Sequence, residues 1–343
     1  MTYLPAEWHH QECVQLTWPH ADTDWAEVLD EVTACYIEMA REISFREPLL
    51  IVAQDVTQVR TLLEERLSAT SLEQITYFEC PTNDTWARDH GFISLLEPAS
   101  RRLLDFRFNG WGQKFASNWD NQINQALYKN NVLRGTYEGH LDFVLEGGSI
   151  ESDGEGTILT TSECLLAPNR NEPMTHREIE CYLKKSLHAE RILFLDHGYL
   201  AGDDTDSHVD TLARLCPNNT IAYVQCLDKA DEHYDALHRM ELQLKEFRTA
   251  TGDPYRLIPL PMARAIYDDE GLRLPATYAN FLIMNGAVLM PTYNNEVVDE
   301  LAKKQLQQAF PDRDIVGIDC RILVLQHGSL HCCTMQYPEI PQI

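Results

Sequence analysis

Five stretches of this 343-residue chain share one design. They are Asp84–Leu95, Phe143–Glu151, Asp204–Leu212, Phe281–Leu289 and Val324–Thr334. Most run from a short lead-in through a small residue into two or more apolar residues. They recur at intervals of roughly 40 to 80 residues, the length of a supersecondary unit. A repeat of this kind implies five similar modules whose turns converge on one centre.

The segments between the stretches read as mixed α/β structure. Helices are expected over about 24–43, 56–67, 176–187, 230–249 and 296–309, where apolar residues recur at helical spacing. Asp24 and Glu27 have the spacing of a capping box for the first of these. Strands are expected at Leu49–Val52, which reads as buried, and at Ile75–Phe78, Leu103–Phe108, Thr157–Thr160, Ile192–Leu195, Ile221–Val224 and Ala287–Met290, with apolar runs at Leu141–Leu145 and Ile315–Ile318 leading into the next stretches. The opening from Pro5 to His20 reads as irregular and aromatic, and Val324–Gln326 as a short buried strand. No low-complexity linker divides the chain, so a single domain over 1–343 is expected.

The formal net charge of −25 argues against a nucleic-acid partner, whose phosphates require a basic face. It is compatible with steering a cationic substrate, and also with plain solubility. The ten cysteines are scattered with no Cys-x-x-Cys pair, so zinc-ribbon spacing is absent. No apolar run approaches the roughly 18 residues of a membrane span. No charged-then-apolar signal opens the sequence. A cytoplasmic protein with reduced thiols, no membrane partner and most cysteines in the core is expected. A homo-oligomer is compatible with such a surface.

The chemistry-bearing residues sit on the repeated stretches. Asp89 lies beside Trp86 and Arg88, with a surface Arg88–Asp89 pair as the ordinary reading. Glu146 follows apolar residues and precedes two glycines, which predicts a partly buried carboxylate. His208 and Asp210 are two apart, which on a strand puts both on one face. Asp204 and Asp206 precede them in what is either an acidic pocket or an exposed acidic turn. Cys332 or Cys333 completes the set; on a strand only one can face a shared centre, and the other belongs to the core. His331 reads as structural. Carboxylates, a histidine and a thiol together suit a cation rich in N–H donors. A guanidinium fits best, because carboxylates pair with its planar edge in a bidentate way. Its positive charge would also favour the thiolate. Attack on the guanidinium carbon, loss of ammonia and hydrolysis of a covalent thiouronium then follow as chemistry.

The same residues carry a resemblance. Trp86–Gly91, Glu146–Ile150, Cys164–Asn171, Asp203–Asp210 and His331-Cys332 resemble, in order, the motifs of the agmatine deiminases, members of the peptidyl-arginine-deiminase-like, guanidine-modifying enzymes. The likeness runs from Pro5-Ala6-Glu7-Trp8 to Cys332. It implies an α/β propeller of five ββαβ modules and hydrolysis of agmatine to N-carbamoylputrescine and ammonia. It implies Cys332 as nucleophile, His208 as acid and base, and Asp89 and Asp210 as guanidinium clamps. Glu146 would hold His208 or the substrate, Trp86 would wall the pocket, and Asp204 would line the same site. No metal or organic cofactor is implied. The chain departs from the family pattern at His327-Gly328-Ser329, where two or three glycines before the nucleophile are usual, at Ser207 where glycine is usual, and at Phe92 where proline is usual.

Deimination of free or peptidyl arginine is the sibling reading, and would require a cationic group or an open cleft. A reading of another class is a metal-dependent hydrolase using Asp89, His208, Asp210, His327 and His331. His327 and His331 are four apart, which suits ligation only on a helix, and their neighbours favour a strand. An inactive guanidine-binding protein is a third reading, disfavoured by the full set of acids, histidine and thiol.

Overall fold

The computed structural model describes residues 2–341. The chain divides into two compact units. The first comprises His9–Gly147 with the C-terminal segment from Cys332; the second comprises Gly148–His331 with the short N-terminal segment Tyr3–Trp8.

The first unit contains two sheets. One orders its strands Thr334–Pro338, Gln11–Thr17, Leu49–Ala53, Ile75–Glu79. Thr334–Pro338 runs antiparallel to Gln11–Thr17, with Val14 opposite Gln336, and the remaining pairs are parallel. In the other, Ile93–Glu97 pairs antiparallel with Ser100–Arg107, which pairs parallel with Thr136–Val144. Parallel neighbours need a long crossover. Helices Leu29–Ser44 and Asp120–Lys129 lie in two of these crossovers. Ile123 and Leu127, four apart on the latter helix, join Leu50, Val52, Phe92, Leu103, Met335 and Tyr337 in one apolar core. Each such side chain, fully buried, contributes about 1.5–3 kcal/mol.

The second unit repeats the pattern three times. Ile150–Ser152, Thr157–Thr161 and Arg191–Leu195 form one sheet; Ala213–Cys216, Thr220–Gln225 and Arg256–Pro261 a second; Leu282–Met284, Ala287–Thr292 and Asp314–Asp319 a third. In each, the first pair is antiparallel and the second parallel. The crossovers contain helices His176–Ser186, Tyr234–Glu246 and Glu296–Ala309. The hairpin after Met284 turns on Asn285-Gly286, where Gly286 has φ +72°, the backbone that two-residue hairpins demand. All five sheets thus share an antiparallel pair followed by a parallel strand. In the four-stranded sheet, the chain's last strand supplies the missing first one.

Each repeated stretch reaches the first strand of a sheet through a tight turn or short helix. Turns Ala87–His90, Gly147–Ser149, Val209–Thr211 and His331–Cys333 precede strands beginning at Ile93, Ile150, Ala213 and Thr334, and Phe281 abuts Leu282. The repeat read from sequence is therefore a repeat of module entrances.

Several expectations require correction. Gln11–Thr17, expected to be irregular, is an inner strand buried on both faces, including Gln11, Gln15 and Thr17, so it lacks alternation. Asp24 is not the N-cap of the helix, which begins at Leu29 behind Val28 after a 3₁₀ turn at Ala26–Val28 that follows Trp25, and the Trp25 N–H donates to the Thr23 hydroxyl (3.3 Å). Trp25 is fully buried, which fixes the chain there before the helix can start. Val324–Gln326 is 3₁₀, not strand, because the strand that pairs with Gln11–Thr17 begins only at Thr334. His208–Asp210 is likewise a 3₁₀ entrance rather than a strand, so the face-sharing argument for that pair does not hold. Among the described residues no helix is long and apolar enough to cross a membrane.

Candidate active site

In the first unit, Asp89 sits on the Ala87–His90 turn and is buried, as is Arg88. The surface ion pair expected from sequence is excluded. Asp89 Oδ2 instead accepts a hydrogen bond from Trp111 Nε1 at 2.9 Å. Trp111 is held in the left-handed region (φ +54°) by the glycine-punctuated loop around it. The preceding Gly110 is also left-handed, and a Cβ there would meet the Phe115 carbonyl at 2.2 Å, so only glycine fits.

Trp86 leads into the same turn. Asp84 organises it, accepting from Trp86 Nε1 and Trp25 Nε1, each at 3.0 Å, and from the Thr85 N–H at 2.8 Å. Burial pushes the Asp84 carboxyl up to about 6 against the pull of these bonds.

Glu146 is fully buried. Its neighbour Gly147 packs on the Asp89 turn: a Cβ there would stand 2.2 Å from the Arg88 carbonyl. The C-terminal segment closes against both. Met335 would lie within 2.9 Å of a Cβ on Gly91 or Gly147, and its sulfur accepts from Arg88 Nη1 at 3.7 Å. One methionine side chain therefore draws together the stretches bearing Asp89, Glu146 and Cys332.

Cys332 and Cys333 occupy a 3₁₀ turn. Cys333 is fully buried against the Tyr36 hydroxyl, and burial holds its thiol well above the ordinary range. Cys332 is 4% exposed.

In the second unit, His208 is fully buried and precedes the Val209–Thr211 turn. Its position is fixed through the backbone: its N–H donates to Thr205 Oγ1 (3.1 Å) and its carbonyl accepts from Thr211 Oγ1 (2.8 Å). The approach to it is tightly tied. Asp206 and Ser207 are both left-handed (φ +63° and +64°), which explains why glycine would suit position 207. Asp203 accepts from the Ser207 N–H at 2.7 Å and from the Thr205 hydroxyl at 2.6 Å; Arg170 binds Asp206 at 2.5 Å and the Thr205 carbonyl at 2.9 Å. The Asp203–Asp206 acids are thus neither a simple pocket nor a plain surface turn. Asp203 and Asp206 build the loop, while Asp204, with a half-exposed side chain, lies 3.8 Å from His327 Nδ1.

Asp210 is fully buried. Burial pulls its carboxyl upward, but the hydrogen bond from His331 and the charges of His331, His208 and Arg214 hold it below the ordinary carboxylate range. His331 Nδ1 lies 2.7 Å from Asp210 Oδ2, and its Nε2 lies 2.8 Å from Glu7 Oε2. Arg214, also fully buried, donates to Glu7 (2.8 Å) and Glu151 (2.5 Å). Glu7, Glu151, Arg214 and the bonding role of His331 were not singled out from sequence. Glu7 lay in the quoted Pro5-Ala6-Glu7-Trp8 segment, but a lone acid there carries no spacing signal. His327 and His331 share no helix: His327 caps one turn in the left-handed region (φ +64°), and His331 opens the next. That removes the spacing on which the metal reading relied.

Comparison with known proteins bears on these two sets of residues. Residues 3–338 match the model of the Porphyromonas-type peptidyl-arginine deiminase family. A solved structure from Porphyromonas gingivalis, provisionally assigned as an arginine deiminase, is 52% identical, with TM-score 0.93 and 99% of each chain covered. The substrate-bound agmatine deiminase of C. jejuni is 38% identical, with TM-score 0.91, covering 100% of this chain and 98% of that one. A curated relative from Marinomonas sp. strain MWYL1, provisionally named an agmatine deiminase, is 34% identical over 98% of this chain and 94% of its own length.

Proposed function

The chain belongs to the Porphyromonas-type peptidyl-arginine deiminase family, and from that premise we propose that it hydrolyses agmatine to N-carbamoylputrescine and ammonia. Cys332 is the nucleophile, His208 the acid and base, and Asp89 and Asp210 the guanidinium clamps. Glu146 fixes His208 or the substrate, Trp86 walls the pocket, and Asp204 receives the far end of the dication. In this reading the five modules form one domain, as blades around a pseudo-fivefold axis, and the enzyme works in the cytoplasm.

The chemistry follows from charge. Two carboxylates clamp the guanidinium, and its positive charge lowers the cost of a thiolate at Cys332. The Cys332 sulfur attacks the central carbon. His208 gives a proton to the departing nitrogen, which leaves as ammonia, and an S-alkylthiouronium remains. His208 then takes a proton from water as its oxygen attacks the same carbon. The C–S bond breaks as the added hydroxyl loses its remaining proton to solvent, where ammonia takes it up, releasing the neutral ureido product and regenerating the thiolate. No step calls for a metal or organic cofactor.

One observation carries the choice of agmatine over arginine. Arg170 and Arg214, the arginines adjoining the His208–Asp210 segment, are each committed to carboxylates: Arg170 to Asp206, and Arg214 to Glu7 and Glu151. Neither is available for a substrate carboxylate. The provisional assignment of the Porphyromonas gingivalis relative keeps arginine as the second reading. Ammonia release from agmatine, free arginine and a short arginine peptide, measured in parallel, decides between them. Turnover of agmatine alone supports the proposal; turnover of arginine or peptide moves the substrate and keeps the mechanism.

A further inference from the structure

The second unit holds a buried chain of charge that this mechanism does not use. Glu7 Oε1 accepts from the Ile283 N–H at 2.6 Å, and its Oε2 lies 2.8 Å from both Arg214 Nη2 and His331 Nε2. Glu151 accepts from Arg214 Nε at 2.5 Å and, through its other oxygen, from the Leu215 N–H at 3.0 Å. Both oxygens of each glutamate accept, which is the pattern of ionised carboxylates. Both ring nitrogens of His331 face carboxylate oxygens, Asp210 on one side and Glu7 on the other, which is the pattern of an imidazolium donating twice. Arg214 Nη2 also lies 3.0 Å from His331 Nε2. Arginine can only donate, so with an imidazolium this is a like-charge contact bridged by the shared Glu7 oxygen, whereas a neutral Nε2 would set its lone pair against that carboxylate oxygen at the shorter distance of 2.8 Å. Glu7, Arg214, His331 and Asp210 are each at least 92% buried, so water screens these charges little.

Three carboxylates, Glu7, Glu151 and Asp210, therefore face two cations, Arg214 and His331, leaving one net negative charge. Without Glu7, the imidazolium would cancel Asp210, the very group assigned to a guanidinium. We propose that Glu7 and His331 are positioning residues: His331 orients Asp210, and Glu7 neutralises His331 so that Asp210 keeps its charge for the substrate cation. The proposal rests on the guanidinium reading of Asp210 and Cys332. It also gives a role to the Pro5-Ala6-Glu7-Trp8 segment and to the histidine preceding Cys332.

The test is alkylation of Cys332 in the full chain, located by mass spectrometry, with cationic 2-chloroacetamidine and neutral iodoacetamide. In Glu7→Gln the chloroacetamidine rate falls about tenfold and the iodoacetamide rate stays within about twofold, since only the first reagent needs the charge. The KM for agmatine rises by a similar factor, with kcat changed less. Glu151→Gln, which loosens Arg214 and alters a carboxylate that bonds Arg214 and the Leu215 N–H rather than the His331 ring, lowers Tm and shifts the reagent ratio less. An unchanged ratio in Glu7→Gln, an equal shift in Glu151→Gln, or an equal fall of both rates overturns the proposal. A parent chain that prefers the cationic reagent but ignores agmatine defeats the substrate reading alone; a parent without that preference defeats both. Should Glu7→Gln fail to fold, ¹⁵N spectra of the unmodified chain, assigned through Leu330 and Cys332, decide. Both His331 ring nitrogens bear protons if the proposal holds, and a neutral His331 ring overturns it.

Discussion

Equivalent module entrances are held in two different ways. The entrance bearing Asp89 is held by aromatic and thioether packing, with Met335 against Gly91 and Gly147, and Trp111 donating to the acid. The entrance bearing Asp210 is held by buried ions, with His331, Glu7, Arg214 and Glu151 in one hydrogen-bonded chain. Packing is non-directional and adds stability in proportion to area. A buried ion network gains less net stability but sets charge and orientation. Damage to the packing of the first entrance is therefore expected to appear mainly in stability, and loss of a group bonded to a site acid, at either entrance, mainly in substrate recognition.

The largest expected effect lies outside both supports. His208→Ala removes the proton carrier while leaving either scaffold intact, so kcat for agmatine falls by about 10³ with Tm little changed. Steady-state kinetics beside a thermal melt check this, and activity within tenfold of the parent removes His208 from the mechanism.

Met335→Ala breaks the packed entrance. Loss of a buried methionine at the meeting of three stretches costs about 2–5 kcal/mol in denaturant unfolding, while folded enzyme below its midpoint keeps the parent's KM. A raised KM with unchanged stability would erase the contrast between the two entrances.

Trp111→Phe is narrower. It keeps the ring but leaves the buried Asp89 short of one donor, a loss of about 1–3 kcal/mol. The expected result is a drop of about tenfold in kcat/KM for agmatine, since one clamp is no longer held in place. A variant indistinguishable from the parent would mean that Asp89 needs no such support.

The smallest effect concerns pH. Asp120 accepts from the Asn83 and Asp84 N–H groups, and burial pushes its carboxyl up to about 8. A carboxyl raised by folding holds its proton more tightly in the native state than in the unfolded one. Stability tied to it is full below the unfolded pKa near 3.8 and is lost as pH rises toward 8. Asp120→Asn cannot ionise but loses one of the two acceptors, so the parent's stability relative to it is greatest near pH 4 and falls toward pH 8.5. Melts across that range that run parallel contradict this.

Much of this was legible in sequence because repetition and burial leave local marks. The repeated stretches mark module entrances, and strands such as Leu49–Ala53 are unbroken apolar runs. Gln11–Thr17 was hidden because glutamines and threonine sit buried between two neighbouring strands, which destroys alternation. The local shape of His208–Asp210 is not legible in the sequence, because a 3₁₀ entrance has no periodicity to find. The site acids were legible as residue types in apolar surroundings. Their supports were not: Trp111 is 22 positions from Asp89, and Glu7 is 324 from His331, distances that only the fold closes.

The central claim is that Cys332, and not its buried neighbour, carries the covalent step. Ammonia release from agmatine by the parent, Cys332→Ala and Cys333→Ala tests it most directly. The account predicts turnover by the parent and by Cys333→Ala, and none above background with Cys332→Ala. Activity surviving in Cys332→Ala would contradict it.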